Sequence, residues 1–195
     1  MISGDVVRRI ATVLLLVAAG AAFVAAIATR SRVGHPVTAR MQAAAGAVAG
    51  SLVPSLPERA QGRPMVIIFI KDGCPCSEAA DPCFRRLFMA YRGRVAFVGV
   101  IDGETPDAER WTREHDTPYP VIADPDLKIV HAYQAERSAY VALVTREGTV
   151  DRLWPGYSAS MLRELGTRLA AGVGVTEVKL DVSDAPEELT SGCSF

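Results

Sequence analysis

The sequence lacks net charge. Its 21 Lys and Arg stand against 22 Asp and Glu, a formal −1, so it offers no basic footprint for nucleic acid. Histidine is scarce. His35, His115 and His131 are the only three and are scattered, so each reads as a surface or helix residue rather than part of a ligand set. No internal repeat is found, which leaves out solenoids and arrays. Cysteine is limited to four, and three of these fall in one short stretch, "FIKDGCPCSEAADPCF", residues 69 to 84.

At 195 residues, 49% hydrophobic and 22% charged, the chain suits one compact domain with an appendage. The near-neutrality conceals an asymmetry. Residues 1–62 carry six arginines against Asp5 and Glu58, a net of +4, which leaves −5 for the remainder. The basic end also holds "IATVLLLVAAGAAFVAAIAT", Ile10 to Thr29, 20 residues without a charge. As a helix this run would be about 30 Å long, the thickness of a bilayer core. Arg8 and Arg9 precede it and favour an N-terminus left in the cytoplasm, although Arg30 and Arg32 follow. Ala26-Ile27-Ala28 also fits a small-x-small cleavage site of a signal peptide. The run is longer than a typical signal core, which favours a retained anchor over residues 1–30, with membrane lipid as its partner. Either reading places residues 31–195 outside the cytoplasm, where disulfides form and persist.

Residues 31–62, rich in Ala, Gly and Pro, read as a stalk. Met41 to Val48 suits a short helix there, ended by Pro54 and Pro57. A folded domain over 63–172 follows, and then a tail over 173–195 that carries Cys193. "MVIIFI", Met65 to Ile70, and "RVAFVGVI", Arg94 to Ile101, are apolar, β-branched runs that read as buried strands. Ser77 to Tyr91 suits a helix between them. "ETPDAERWTREH" suits a second, with Thr105 as N-cap and Pro106 at the first helical position. "YPVIAD" is a short strand. "AYVALVTREGTVDRLW" is a hairpin turning at Glu147-Gly148, and "SASMLRELGTRLAAG" is a helix stopped by Gly172. The order implies an α/β fold, a central mixed and mostly parallel sheet with helices on both faces and an antiparallel hairpin edge. Trp111 and Trp154 read as packing residues.

Cys74 follows a buried strand and precedes a helix, with Pro75 in the first turn. A thiol there meets unpaired N–H groups and the positive end of the helix dipole, and both favour the nucleophilic thiolate. Pairing within the helix fails on distance. Cys74 to Cys83 is about 13 Å along the axis and Cys76 to Cys83 about 10 Å, whereas a disulfide needs Cα atoms within about 7 Å. Cys74 to Cys76 would need the first turn unwound. Cys193, in "SGCSF", is the intrachain partner left, and the tail is long enough to reach. Its alternatives are a free tail thiol and a dimer cross-link.

"FIKDGCPCSEAADP" resembles the active-site segment of the thioredoxin-fold redoxins, the peroxiredoxin (AhpC/TSA) and TlpA-like groups. Their pattern is an apolar strand, Cys-Pro-x-Cys or Cys-Pro-x-Ser, and a helix-kinking proline, here Cys74, Pro75, Ser77 and Pro82. "YRGRVAFVGVIDG" resembles the next redoxin strand. "YPVIADPDLKIVHAY" and "RSAYVALVTREGTV" are similar to peroxiredoxin segments, and the Gly-Cys near the end is similar to the tail of a bacterial redoxin subgroup. The resemblance covers residues 63–171, and 172–195 more loosely. It implies a thioredoxin-like fold and a thiol oxidoreductase without cofactor. Cys74 would attack a protein disulfide or a peroxide, and Cys193 or Cys76 would resolve the product.

Three positions depart from one group or another. Ser77 stands where thioredoxin-like reductases have their second cysteine. Arg137 stands where they have a cis-proline, and in peroxiredoxins an arginine there would hold a thiolate by charge. Lys71 replaces the Thr or Ser that orients peroxide; it would depress the thiol pKa or be a solvated strand end. A non-enzymatic alternative is a partner-docking module, or copper binding by Cys74, Cys76 and a histidine. Sco-like copper chaperones share this fold, but their Cys-x-x-x-Cys spacing is missing.

Overall fold

The computed structural model of the chain describes residues 12, 14–17, 19–20, 34–53, 56 and 62–195. The chain forms two compact units, Met1–Val33 and Gly34–Phe195. In the first, the described residues are helical, and Leu14 to Val17 expose their side chains. The rest of the anchor expected over Ile10–Thr29, with Ala26-Ile27-Ala28, lies outside the described residues. Among the described residues no helix is long and apolar enough to cross a membrane.

The second unit is an α/β fold of the thioredoxin-like type. Its elements run β1 (His35–Pro36), α1 (Ala39–Ala47), β2 (Met65–Ile70), α2 (Pro75–Tyr91), β3 (Ala96–Ile101), α3 (Thr105–Glu114), β4 (Val121–Ala123), α4 (Lys128–Ala132), β5 (Val141–Val144), β6 (Val150–Trp154), α5 (Ala159–Val173) and β7 (Thr190–Ser191). Five strands make the main sheet in the order β4-β3-β2-β5-β6. All six residues of β2 are buried, because a strand with no polar break is stable only when both faces are covered. Its side chains alternate. Val66, Ile68 and Ile70 pack with Phe84 and Leu87 of α2 and with Leu162 and Leu165 of α5. Met65, Ile67 and Phe69 pack on the other face with Met41 and Ala45 of α1 and Val130 of α4. Leu87 and Leu165 are fully buried, each contributing roughly 1.5–3 kcal/mol of apolar transfer.

Two expectations from the sequence change here. The segment read as a stalk supplies β1 and α1 to the folded unit, which begins at Gly34. Thr38 caps α1, its hydroxyl accepting from the Met41 N–H at 3.2 Å. The alanine-rich helix has a thin apolar face, but Met41, Ala45 and Val48 suffice to bury it. The chain then runs along the free edge of β6, with Gly50 donating to the Val150 carbonyl at 2.8 Å and Val150 to Ser51 at 3.0 Å, which covers an otherwise open sheet edge.

The sheet is also less parallel than expected. β2 pairs with β3, and β3 with β4, in parallel, but β5 joins β2 antiparallel and β6 follows antiparallel. After β4 the chain stays at the end of the sheet where β2 finishes, so β5 starts beside Ile68 and runs back toward Met65. Smaller shifts occur at helix ends. Glu104, rather than Thr105, caps α3 in a capping box with Asp107, and α5 ends at a left-handed Gly174 rather than at Gly172.

Candidate active site

The end of β2 leads into a clamped turn. The Lys71 ammonium pairs with Asp102 at 2.8 Å, and the Asp72 N–H donates to the same carboxylate at 2.7 Å. The Arg110 guanidinium grips both Asp72 oxygens, at 2.8 and 2.9 Å. Gly73 takes φ +65°, a left-handed conformation that suits glycine. Cys74 follows as the N-cap of α2, with Pro75 at the helix start. The Ser77 hydroxyl accepts from the Lys71 N–H at 3.1 Å and ties the first turn of α2 back to the strand.

Cys74 and Cys76 lie closer than a regular helix would allow. The cap residue has extended backbone, φ −90° and ψ 114°, so its side chain leaves the helical spiral and converges on Cys76. The first turn need not unwind, because Cys74 is not part of it. Cys193 completes the group. Its sulfur is 2.8 Å from that of Cys74, inside van der Waals contact but outside the roughly 2.05 Å of a disulfide. The three sulfurs all lie within 4.8 Å of one another. Cys83 stands apart beneath Asp184 and Arg86, which pair with each other; the Arg86 guanidinium reaches its sulfur at 3.3 Å.

The tail reaches the site through backbone pairing. β7 joins β1 antiparallel, with His35 opposite Ser191 and Pro36 opposite Thr190. On its other side Thr190 exchanges two hydrogen bonds with Tyr157, at 2.9 and 3.0 Å. Next, the Gly192 N–H donates to the Ser138 carbonyl and the Ser138 N–H to the Cys193 carbonyl, each at 2.9 Å. Two glycines permit this approach. A Cβ on Gly192 would overlap the Ser138 hydroxyl, and one on Gly156 would overlap the Thr190 carbonyl.

This packing sets the acidity of the thiols. Burial raises the pKa of Cys74, but hydrogen bonds to its sulfur from the Cys193 thiol, the Ser138 hydroxyl at 3.3 Å and the Cys193 N–H at 3.3 Å outweigh it. The Ser77 N–H adds a smaller pull without forming a full cap hydrogen bond. The result is a Cys74 thiol at about 6. Burial, then the neighbouring Cys74 charge, pushes Cys76 up to about 12. Cys193 is raised because its S–H is held by Cys74, with burial second. Burial and the Asp184 charge push Cys83 up to about 12.

The residues singled out in the sequence thus divide. Cys74, Cys76 and Cys193 meet at one point, and Ser77 braces the turn beneath them. Neither Lys71 nor Arg137 is among the leading causes of the Cys74 shift. The Lys71 charge acts on Cys193 instead, lowering it, while the Arg137 guanidinium donates to the Gly192 carbonyl at 3.2 Å and so holds the tail. The histidines join no group of metal-ligating residues among the described residues; His115 packs on Trp111, ring centroids 4.1 Å apart. Sequence reasoning missed Ser138 and Asp102. Nothing local distinguishes Ser138 from other serines, since its role appears only when the tail docks.

Comparison with known proteins agrees with the fold. The AhpC/TSA family pattern matches residues 54–152, half of the chain. No curated protein matches it. Among solved structures it is similar to a bacterioferritin comigratory protein of Xanthomonas campestris described for alkyl peroxide reduction, at 20% identity and TM-score 0.52, over 66% of this chain and 94% of that one. It is similar to a secreted disulfide oxidoreductase of Mycobacterium tuberculosis homologous to E. coli DsbE, at 21% identity and TM-score 0.50, over 69% and 99%. An uncharacterised conserved protein of Geobacillus kaustophilus aligns at 17% identity and TM-score 0.56, over 75% and 90%. At these identities the likeness shows the fold.

Proposed function

The chain belongs to the AhpC/TSA family, and from that premise we propose that it is an extracytoplasmic, membrane-tethered thiol oxidoreductase whose nucleophile is Cys74 and whose resolving residue is Cys193. One observation carries the reading: the Cys74 sulfur, with a pKa of about 6, is 2.8 Å from a second thiol.

The chemistry proceeds in two exchanges. The Cys74 thiolate attacks one sulfur of a protein disulfide, forms a mixed disulfide and expels the other sulfur as thiolate. The charge that Cys193 had been stabilising is then gone. Cys193 no longer donates to a thiolate, the largest cause of its raised pKa disappears, and it gives up its proton more readily to the expelled substrate thiolate. It attacks the Cys74 sulfur, closes the Cys74–Cys193 disulfide and releases the substrate's second thiolate. The substrate gains two electrons and the protein loses two. A dithiol donor returns them for the next cycle. Cys76, held protonated by a pKa of about 12, stays out of both steps.

Exchange is favoured over peroxide reduction. Lys71 is tied to Asp102 and Arg137 to the tail, so neither is aimed at a peroxide over Cys74. On the other side stand the AhpC/TSA match and the Ser138 hydroxyl, which lies 3.3 Å from the sulfur and would orient a peroxide oxygen. Extracytoplasmic placement is supported by the uncharged run Ile10–Thr29.

Two measurements test the reading. Mass mapping of the oxidised protein should give a Cys74–Cys193 disulfide, and a Cys74–Cys76 bridge would reassign the resolving residue. The reduced protein should react faster with an oxidised protein disulfide than with hydrogen peroxide. Rates with both no higher than those of a free cysteine would reject the enzymatic reading.

A further inference from the structure

We propose that Cys74, Cys76 and Cys193 form a trigonal, all-sulfur site for a monovalent copper ion. This does not depend on the redox reading. The metal alternative considered from sequence used a histidine as third ligand, and the fold supplies Cys193 instead.

The geometry is close to what such an ion needs. With metal–sulfur bonds of about 2.3 Å, three sulfurs around a trigonal ion lie about 4.0 Å apart. The three here are within 4.8 Å of one another. One pair must open, Cys74 to Cys193, now at 2.8 Å. Cys193 is the half-buried member, with two residues after it, and a side-chain rotation there would supply the change. Cys74 and Cys76 are fixed by the start of α2 and by Pro75 between them.

The donor set selects the metal. Thiolates are soft ligands that suit monovalent copper and zinc. Zinc is almost always four-coordinate in structural sites, and among the described residues no histidine, carboxylate or fourth cysteine joins the group. The nearby oxygen, the Ser138 hydroxyl, is a hard donor. Cys74 is 2% and Cys76 4% exposed, so the ion would be shielded from water on two sides. Three thiolates around one positive charge leave a net of about −2. The N-terminus of α2, a 17-residue helix, faces that charge with the positive end of its dipole. Binding releases the thiol protons to solvent and changes no oxidation state. It also excludes the Cys74–Cys193 disulfide, because both use the same two sulfurs.

The test is an anaerobic titration of the reduced full chain with monovalent copper against a chromophoric copper(I) chelator. X-ray absorption on the loaded protein counts the sulfurs. One ion per chain with three sulfurs at about 2.3 Å is expected. Loss of a surrounding partner costs 10–100-fold in metal affinity, so loss of a ligand should cost roughly 100-fold or more in each of Cys74→Ser, Cys76→Ser and Cys193→Ser. Cys83→Ser should bind as the parent does. Parent-like affinity in Cys76→Ser, or a count of two sulfurs, would overturn the proposal. Should the Cys76 variant fail to fold, the sulfur count in the intact protein decides alone.

Discussion

At pH 6 Cys74 should be alkylated about a thousand times faster than Cys83. With a pKa of about 6, about half of Cys74 is thiolate at that pH; with a pKa of about 12, about one Cys83 in a million is. The more basic thiolate is the better nucleophile. A Brønsted slope of roughly 0.4–0.5 across six pKa units returns a factor of about 10³ to Cys83 and leaves about 10³ in favour of Cys74. Access does not reverse this. Cys74 is 2% and Cys83 4% exposed, so burial does not separate the two. The assay is an anaerobic iodoacetamide time course between pH 4.5 and 8.5 with peptide mass mapping. The Cys74 rate should rise through a midpoint near 6 and level off. Equal rates for the two at pH 6, or a Cys74 midpoint at the ordinary thiol value, would refute the assignment of Cys74 as nucleophile.

Gly192→Ala should detach the tail, because the new Cβ overlaps the Ser138 hydroxyl; the Cys74 alkylation midpoint then rises as the two Cys193 donors leave, and the Cys74–Cys193 disulfide fails to form under mild oxidant. Leu165→Ala, at a fully buried position of α5, should cost about 2–5 kcal/mol in denaturant unfolding and leave the Cys74 midpoint unmoved. A reporter fused after Phe195 should be active only if it works outside the cytoplasm, and activity of a cytoplasm-only reporter would remove the export reading.

What the sequence reveals depends on how far apart the interacting residues are. The run Met65–Ile70, the Cys-Pro step and the helix after it are contiguous, so their pattern alone places Cys74 at a helix start, and the structure has it as the cap of α2. The hairpin over Val141–Trp154 is equally local, with turn residues between two apolar runs. The α1 helix is legible as a helix but its docking is not, because its buried face is built from Met41 and Ala45 amid other alanines, and a face made of small side chains gives a faint apolar period. The position of β5 beside β2 is a pairing of strands far apart in the sequence, which no local pattern records.

Cys193 is the extreme case, 119 residues from Cys74. Elimination among four cysteines can suggest the pair, but only docking can establish the contact. The seat for the tail is distributed over His35, Tyr157 and Ser138, none of which carries a sign of that role. Gly156 and Gly192 carry the faint sign that exists, because both are places where another backbone or side chain comes too close for a Cβ. The acidity of Cys74 belongs to the same distant contacts. A helix N-terminus alone predicts a lowered thiol, yet the leading hydrogen bonds to the sulfur come from Cys193 and Ser138. Cys74 therefore owes part of its acidity to Cys193 being in place, and part to Ser138 and Ser77. It loses the Cys193 part when the tail lifts to admit a substrate, so opening the site and weakening the nucleophile's ionisation are one event.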